Sequence, residues 1–337
     1  MALYAIDDLD DAWDATREFL TPLSIRRLSV LAVIVFFVGG SGSSVPGGSG
    51  GTRGTTGLDP APGAEIAAAR RFLLENLVTI GLLVGAVLLV GLAFLLAGSV
   101  MEFVFVQSLR TDEVRFWGYA HRYFDEGLRL FGFRVALGIA SLLSIAAIAG
   151  SALLVAGAAP TVELGGLLLA IAAFAIAVVL LVVTVVDAFT TAFVVPVMLV
   201  RNSGVLAAWR AFWRTLVRTW KQYLAYAIAA VILNVAAGIV FTILLAVVAL
   251  ALVIPLAVVV GATALLAPET VLLAVAVVLG LPFVLVLVVA ALLIQVPIQT
   301  YLRYYALFVL GDTDATLDPI AEVRGAVRSA DGGSTAL

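Results

Sequence analysis

The chain has 337 residues, of which 63% are hydrophobic and 12% charged, with a mean hydropathy of +1.18 and a formal net charge of −3 at pH 7. That apolar content lies well outside the range of a soluble domain and points to a polytopic membrane protein. The absence of cysteine excludes disulfides, thiolate metal sites and cysteine nucleophiles, and the acidic balance gives no reason to expect a nucleic-acid partner.

Residues 1–24 form an acidic segment carrying Asp7, Asp8, Asp10, Asp11, Asp14 and Glu18. Residues 25–38 read as a short first span, apolar from Leu28 to Val38 and extended back through Arg26 and Arg27, whose side chains can snorkel. A re-entrant segment or a cleaved leader are the alternatives. The long acidic lead-in and the lack of a small-x-small cleavage site after it weigh against a leader. Residues 39–71 are expected to be an external loop, and their Gly, Ser, Thr and Pro content over 39–63 predicts a tether without a core. No G-x-x-x-x-G-K-[ST] pattern is present there, so no phosphate-cradling loop is expected.

Residues 72–310 are expected to hold five further spans, since about 20 helical residues cross a hydrocarbon core of about 30 Å. The apolar runs are 77–106, 132–157, 164–200, 224–260 and 270 to beyond 296. The run over 164–200 would be about 55 Å long if straight. It therefore has to tilt, project beyond the hydrocarbon or kink near Pro196, and Pro255, Pro282 and Pro297 interrupt the later runs.

Between these spans lie two expected amphipathic helices. Over residues 115–131, Phe116, Trp117, Ala120, Tyr123, Phe124, Leu128 and Phe131 form an apolar stripe, with Arg115, Arg122, Asp125, Glu126 and Arg129 turned away. Over residues 204–221, VLAAWRAFWRTLVRTW places Val205, Leu206, Trp209, Phe212, Trp213, Leu216, Val217 and Trp220 on one stripe and Arg210, Arg214, Arg218 and Lys221 on another. Basic helices with an aromatic floor suit the interface of an anionic membrane. The expected headgroup-binding residues are Trp209, Arg210, Trp213, Arg214, Arg218, Trp220, Lys221, Trp117, Arg122 and Arg129. Residues 311–337 are read as a tail with a weaker third helix, IAEVRGAVRS, whose start is signalled by Asp318 as N-cap and Pro319 at the first position.

The unit of span, short polar turn and interfacial helix thus recurs. Thr300 answers Thr191, and Gly311-Asp312 answers Asn202-Ser203. Repeats of this kind either hold a ligand between them or are old duplications with no shared site.

Basic residues set the orientation, because cytoplasmic loops carry the positive excess. With six spans and both termini inside, 16 of the 19 basic residues are cytoplasmic, and Arg53, Arg70 and Arg71 are external. The connections at 158–163 and 261–269 carry none.

The segment VVPVMLVRNSGVLAAWRAFWRTLVRTWKQYLAY resembles the hallmark segment of the membrane domain of glycerophosphodiester phosphodiesterases and related bacterial inner-membrane proteins. There, an apolar span with Pro leads through a small-residue turn into a helix of Ala, Arg and Trp. That pattern often has an acidic residue in the turn, where this chain has Arg201-Asn202. No soluble phosphodiesterase domain accompanies the resemblance, so it implies no hydrolytic activity. The opening ALYAIDDLDDAWDATREFLTPL, followed by a short span and a Gly-rich loop, is similar to an uncharacterised family of integral membrane proteins of halophilic archaea. A single lysine among 19 basic residues and the acidic solvent-facing ends agree with a halophilic source, with GC bias alone as the alternative.

Polar groups at bilayer depth are functional candidates by default. They are Asp187 and Thr191 in the span over 164–200, Glu102 in the span over 77–106, Asn234, Gln295 and Gln299. Asp187 lies about 21 Å along the helix from Arg201. These groups either hydrogen-bond between helices and fix packing, line a polar pathway, or carry chemistry. His121 is the only histidine, with no second imidazole or thiolate for a metal and no nucleophile–base pair beside it. No catalytic residue, metal or cofactor is expected.

The expected fold is an all-α polytopic bundle of about six transmembrane helices in the cell membrane, with both termini and the amphipathic helices on the cytoplasmic side. The expected function is a non-enzymatic scaffold that organises the membrane by binding anionic lipid headgroups, together with a protein partner or a second copy of the chain. The alternative is a small-solute or lipid transporter with a polar midplane site at Asp187, Asn234 and Gln299.

Overall fold

A computed structural model of the chain describes residues 4–21, 24–42, 71, 74–159, 161–266 and 268–334. Of the loop expected over 39–71, residues 43–70 lie outside the described residues. In chain order the helices are α1 (Tyr4–Leu20), α2 (Ile25–Gly42), α3 (Leu77–Thr111), α4 (Phe116–Arg122), α5 (Phe124–Gly157) and α6 (Val162–Phe189). A π-turn (Thr190–Val194) joins α6 to α7 (Val195–Arg201), and α8 (Val205–Arg218), α9 (Trp220–Leu266) and α10 (Glu269–Thr313) follow. A 3₁₀ turn (Ala315–Leu317) leads to α11 (Ala321–Ser334). No strand occurs among the described residues. Five helices are long and apolar enough to cross a membrane, namely α3, α5, the continuous α6–α7 rod, α9 and α10. The protein is an all-α, multi-pass membrane protein.

The core sits at one end of the bundle. Residues 98–109 of α3 are buried, as are Thr190, Phe193 to Leu199, and most of residues 303–311 of α10. Toward the other end the same helices are bare. Leu83 and Leu89 on α3, Leu142 and Leu154 on α5, Phe174 and Leu181 on α6, and Val231 and Ile243 on α9 are all exposed. In lipid such side chains keep their favourable surroundings, so α5–α6 and α9–α10 can run as hairpins that touch mainly each other. Helix α9, with 47 residues, is about 70 Å long and exceeds any straight crossing of the hydrocarbon.

Two span exits share one backbone device. Helix α3 ends on Asp112 at φ 53°, and α7 ends on Asn202 at φ 46°. Asp and Asn tolerate this left-handed cap better than other non-glycine residues, so each terminates a long apolar helix with a sharp reversal. A short helix follows in each case, α4 or α8, and one non-helical residue then starts the next span. That residue is Tyr123 (φ −104°, ψ 18°) in one unit and Thr219 (φ −122°, ψ 35°) in the other. The stripe read over 115–131 is therefore divided at Tyr123, and residues 124–131 belong to α5. The third copy differs again: Asp318 Oδ1 accepts from the Ile320 amide at 2.9 Å, so the helix begins at Ala321, two residues after Pro319.

The termini wrap the core. Ala12, Ala15 and Phe19 of α1 are buried against α10, with Phe19 edge-on to Tyr304 at 6.0 Å. Helix α2 buries Leu31, Ile34, Val35 and Val38 against α3 and α10.

Helices α3 and α5 approach most closely at Gly127, where a Cβ would lie 2.5 Å from Val100 Cγ2 and 2.8 Å from Val100 Cα. Because a helix backbone cannot yield as a side-chain tip can, Gly127→Ala is expected to push the two helices apart at a cost of about 1–3 kcal/mol. A lowered thermal unfolding midpoint in detergent checks this, and an unchanged midpoint would contradict the close packing.

Candidate functional site

The centre of the buried region is built on the π-turn. Its geometry makes the Val195 amide donate to the carbonyl of Thr190, five residues back, instead of to that of Thr191. The next amide in that register belongs to Pro196, which has no N–H. The Thr191 carbonyl thus loses both of its helical donors. Arg303 of α10 fills the vacancy, its Nη1 donating to the Thr191 carbonyl oxygen at 2.5 Å.

Around that contact two arginines meet two carboxylates. Arg303 Nη2 pairs with Glu102 Oε2 of α3, and both side chains are almost fully buried. Arg134 of α5 lies on the other side: its Nε donates to Asp187 Oδ1 at 3.1 Å, and its Nη2 donates to the Thr191 hydroxyl at 2.8 Å and lies 3.8 Å from Glu102 Oε1. Its Nη1 donates to Ser99 Oγ at 3.4 Å. The quartet is formally neutral, and it joins α3, α5, the α6–α7 rod and α10 at a single depth. Charges taken out of water are tolerated when paired and hydrogen-bonded in this way. Arginine suits the position because it stays protonated and offers its donors in a planar fork.

Helix α8 is fastened to the same turn. Trp209 Nε1 donates to the Thr190 hydroxyl at 3.1 Å, and the Thr190 hydroxyl donates to the Val186 carbonyl at 2.6 Å. Phe193 of the π-turn stacks on Phe212 at 5.1 Å and meets Tyr223 and Tyr226 edge-on. The Thr215 hydroxyl donates to Asp314 Oδ2 at 2.9 Å. Of the apolar stripe expected on this helix, Val205 and Phe212 are buried and Trp209 and Leu216 half-buried. Leu206, Trp213 and Val217 form a second, exposed stripe with Arg210, Arg214 and Arg218 exposed beside it; the helix expected over 204–221 is divided at Thr219, so Trp220 and Lys221, also exposed, belong to α9. In the first unit Trp117, Arg122 and Arg129 are likewise exposed, and Arg122 lies over the Tyr123 ring at 5.7 Å.

A second ionic cluster ties the termini together. Arg328 of α11 reaches Asp11 at 2.8 Å, Asp8 at 3.2 Å and Asp312 at 2.7 Å, while Arg324 pairs with Asp312 at 2.5 Å and Asp318 at 2.7 Å. Burial of Asp8, then the neighbouring Asp312 charge, push the Asp8 carboxyl up to about 8, against the opposing pull of Arg328. Asp8 therefore holds its proton to higher pH than an ordinary carboxyl, and its side chain is hydrogen-bonded to that of Asp312.

The intramembrane residues expected from the sequence therefore separate. Asp187, Thr191 and Glu102 meet in the quartet. Asn234 is exposed and donates to the Ala230 carbonyl of its own helix at 2.7 Å, and Gln295 and Gln299 are half-buried. Among the described residues no hydrogen bond or ion pair joins these three to the quartet. Arg134 and Arg303 are the members that sequence reasoning misses, because in sequence each reads only as one of the basic residues that follow or end a span. The signal that could have found them is the presence of two acids on separate apolar spans, which need two cations at the same depth. His121 Nδ1 lies 3.0 Å from the Trp117 carbonyl within α4. Among the described residues no group of three or more His, Asp or Glu is placed to hold a metal.

The model of a family of unknown function, DUF7544, matches residues 3–320. No curated protein and no solved structure matches the chain.

Removing one partner from a buried ion pair costs about 3–5 kcal/mol, because the other charge remains buried alone. Glu102→Gln is thus expected to lower the unfolding midpoint strongly, and the charge-balanced pair Glu102→Gln with Arg303→Gln to recover much of the loss. If the double variant were less stable than the single by a further full increment, the quartet would not act as one unit.

At the terminal cluster a raised carboxyl means that the folded state holds a proton the unfolded chain releases. Stability should fall as pH rises from the ordinary carboxylate range toward about 8 and then level off. Hydrogen exchange in α1 and α11 between pH 5 and 9 measures this, and Asp8→Asn should flatten the profile. A wild-type profile independent of pH would refute the assignment.

Proposed function

We propose that this chain, which belongs to the family of unknown function DUF7544, is a non-enzymatic membrane scaffold whose inner face holds anionic lipid headgroups. The observation that carries the reading is the division of α8. Its Val205, Ala208, Phe212 and Thr215 side is locked into the protein, while Leu206, Trp213 and Val217 stay exposed beside the arginine row, as does Trp220 at the start of α9. A helix immobilised on one side presents its guanidinium groups without having to order them on binding, which lowers the entropic cost of engaging phosphates. The free aromatic and aliphatic stripe supplies the part that enters the interface.

On this reading α2 is the sixth span, both termini are cytoplasmic, the membrane is the cell membrane, and α4 and α8 lie along its inner leaflet. The basic excess around the exits of α3 and α7 supports that orientation. The resemblance to the membrane domain of glycerophosphodiester phosphodiesterases supports a membrane-embedded role without hydrolysis, and the scarcity of lysine supports a high-salt source. A protein partner or a second copy of the chain would dock on the bare hairpins. The engagement of Asp187 by Arg134 favours the scaffold over a carrier with Asp187 as its midplane site.

Each arginine near an anionic surface contributes about 1 kcal/mol. Replacing Arg210, Arg214 and Arg218 together by Gln is therefore expected to reduce the preference of the reconstituted protein for phosphatidylglycerol over phosphatidylcholine by roughly one to two orders of magnitude. Lipid partitioning measured in mixed nanodiscs tests this, and a preference equal to that of the wild type would reject the function.

A further inference from the structure

Apart from α8, the molecule has a cleft of about 890 Å³ between the start of α2 and helix α4. It is lined from α2 by Arg26, Arg27, Val30 and Val33 and from the α4 side by Arg115 and Trp117, so each side offers both a guanidinium and an apolar surface. Arg27 Nη2 pairs with Asp112 at 2.5 Å, and Arg115 Nε with Glu113 at 2.8 Å. The Arg26 guanidinium has no ion-pair or hydrogen-bond partner among the described residues. Three guanidinium groups thus face two carboxylates, leaving one positive charge in excess. The Arg27 Nε–H is moreover a buried donor without an acceptor.

The geometry points to a discrete site for one anionic phospholipid, whose phosphodiester sits among Arg26, Arg27 and Arg115 and whose acyl chain runs along α2. A phosphodiester carries the single negative charge that balances the excess, and its oxygens accept the charge-assisted bonds that the unpaired, exposed Arg26 guanidinium offers. The chain direction follows from helical spacing. Val30 and Val33 lie four and seven residues after Arg26, on the same face of α2 and toward the apolar stretch that runs to Val38. Val33 and Trp117 are exposed at 44% and 73%, so an apolar surface awaits cover on both sides of that path. The volume is in the range of ligand pockets, about 300–1,000 Å³. This site rests on the lipid-binding reading above and adds a stoichiometric position to it, separate from the diffuse row on α8.

Native mass spectrometry of the full chain released from nanodiscs containing phosphatidylglycerol tests the site. The wild type is expected to retain one phosphatidylglycerol, and Arg26→Gln with Arg115→Gln to weaken that retention about tenfold or more while leaving the unfolding midpoint unchanged, since both side chains are exposed. Trp117→Ala, which removes no charge, should weaken it to a smaller extent. Substitution of Arg210, Arg214 and Arg218 should leave the single retained lipid in place. Retention unaffected by Arg26→Gln with Arg115→Gln overturns the site and leaves the α8 reading intact if that row still responds. Displacement by glycerol 3-phosphate or inorganic phosphate at the lipid's own concentration overturns the lipid assignment, because the acyl chain would then contribute nothing.

Discussion

The buried end of this protein is held together by charges that are paired where they are buried. Glu102 and Arg303 come from helices 201 positions apart in sequence, and each is too costly to bury without the other. Arg134 and Asp187 extend the pair into a neutral quartet. Because these four side chains belong to three spans and a fourth rod, their pairing fixes the relative height and rotation of those helices at one point. Apolar packing alone cannot do this in lipid, where a leucine face gains little by choosing protein over acyl chain.

The quartet in turn depends on a local defect. A regular α-helix through residues 190–196 would satisfy the Thr191 carbonyl from Val195, and Arg303 would face a saturated backbone. The π-turn and Pro196 together free that carbonyl, and the same turn swings Phe193 onto Phe212 and brings Thr190 to Trp209. One backbone irregularity therefore serves both the buried ion cluster and the seat of α8. The terminal cluster around Arg328 closes the other side by strapping α1 and α11 across α10. Among the described residues the far ends of the hairpins show no such ties, which agrees with their bare apolar surfaces.

The sequence made the helical class, the five long spans and the recurring exit unit legible, because each is written in local terms: run length, helical stripe and turn residues. Asp187, Glu102 and Thr191 were legible as costly groups. Their partners were not, because an arginine ten residues inside a helix, such as Arg134 or Arg303, looks the same in sequence as one at a cytoplasmic boundary. Which way its side chain turns is decided by spans that the sequence does not place side by side. The break at Tyr123 is hidden for a related reason: the apolar stripe continues through it in register, so nothing local marks where α5 starts. On α8 the stripe was read as one floor, whereas the structure assigns half of it to the protein and leaves half of it free.

The near-absence of lysine has a geometric side as well as a compositional one. Arg303 must reach a carboxylate and a backbone carbonyl at once, and Arg134 a carboxylate, two hydroxyls and the edge of a second carboxylate. A planar fork with five donors can divide itself in that way. An ammonium group on a flexible stem would present three donors from one point, would be harder to dehydrate, and would lose its proton more readily in an apolar setting. These two arginines are also neutralised where they stand, so they cannot act as the free positive charges that orient a membrane protein. Among the described residues the arginines thus differ by setting: Arg134 and Arg303 are buried where the spans meet, Arg324 and Arg328 tie the termini, and Arg210, Arg214 and Arg218 stand exposed on α8.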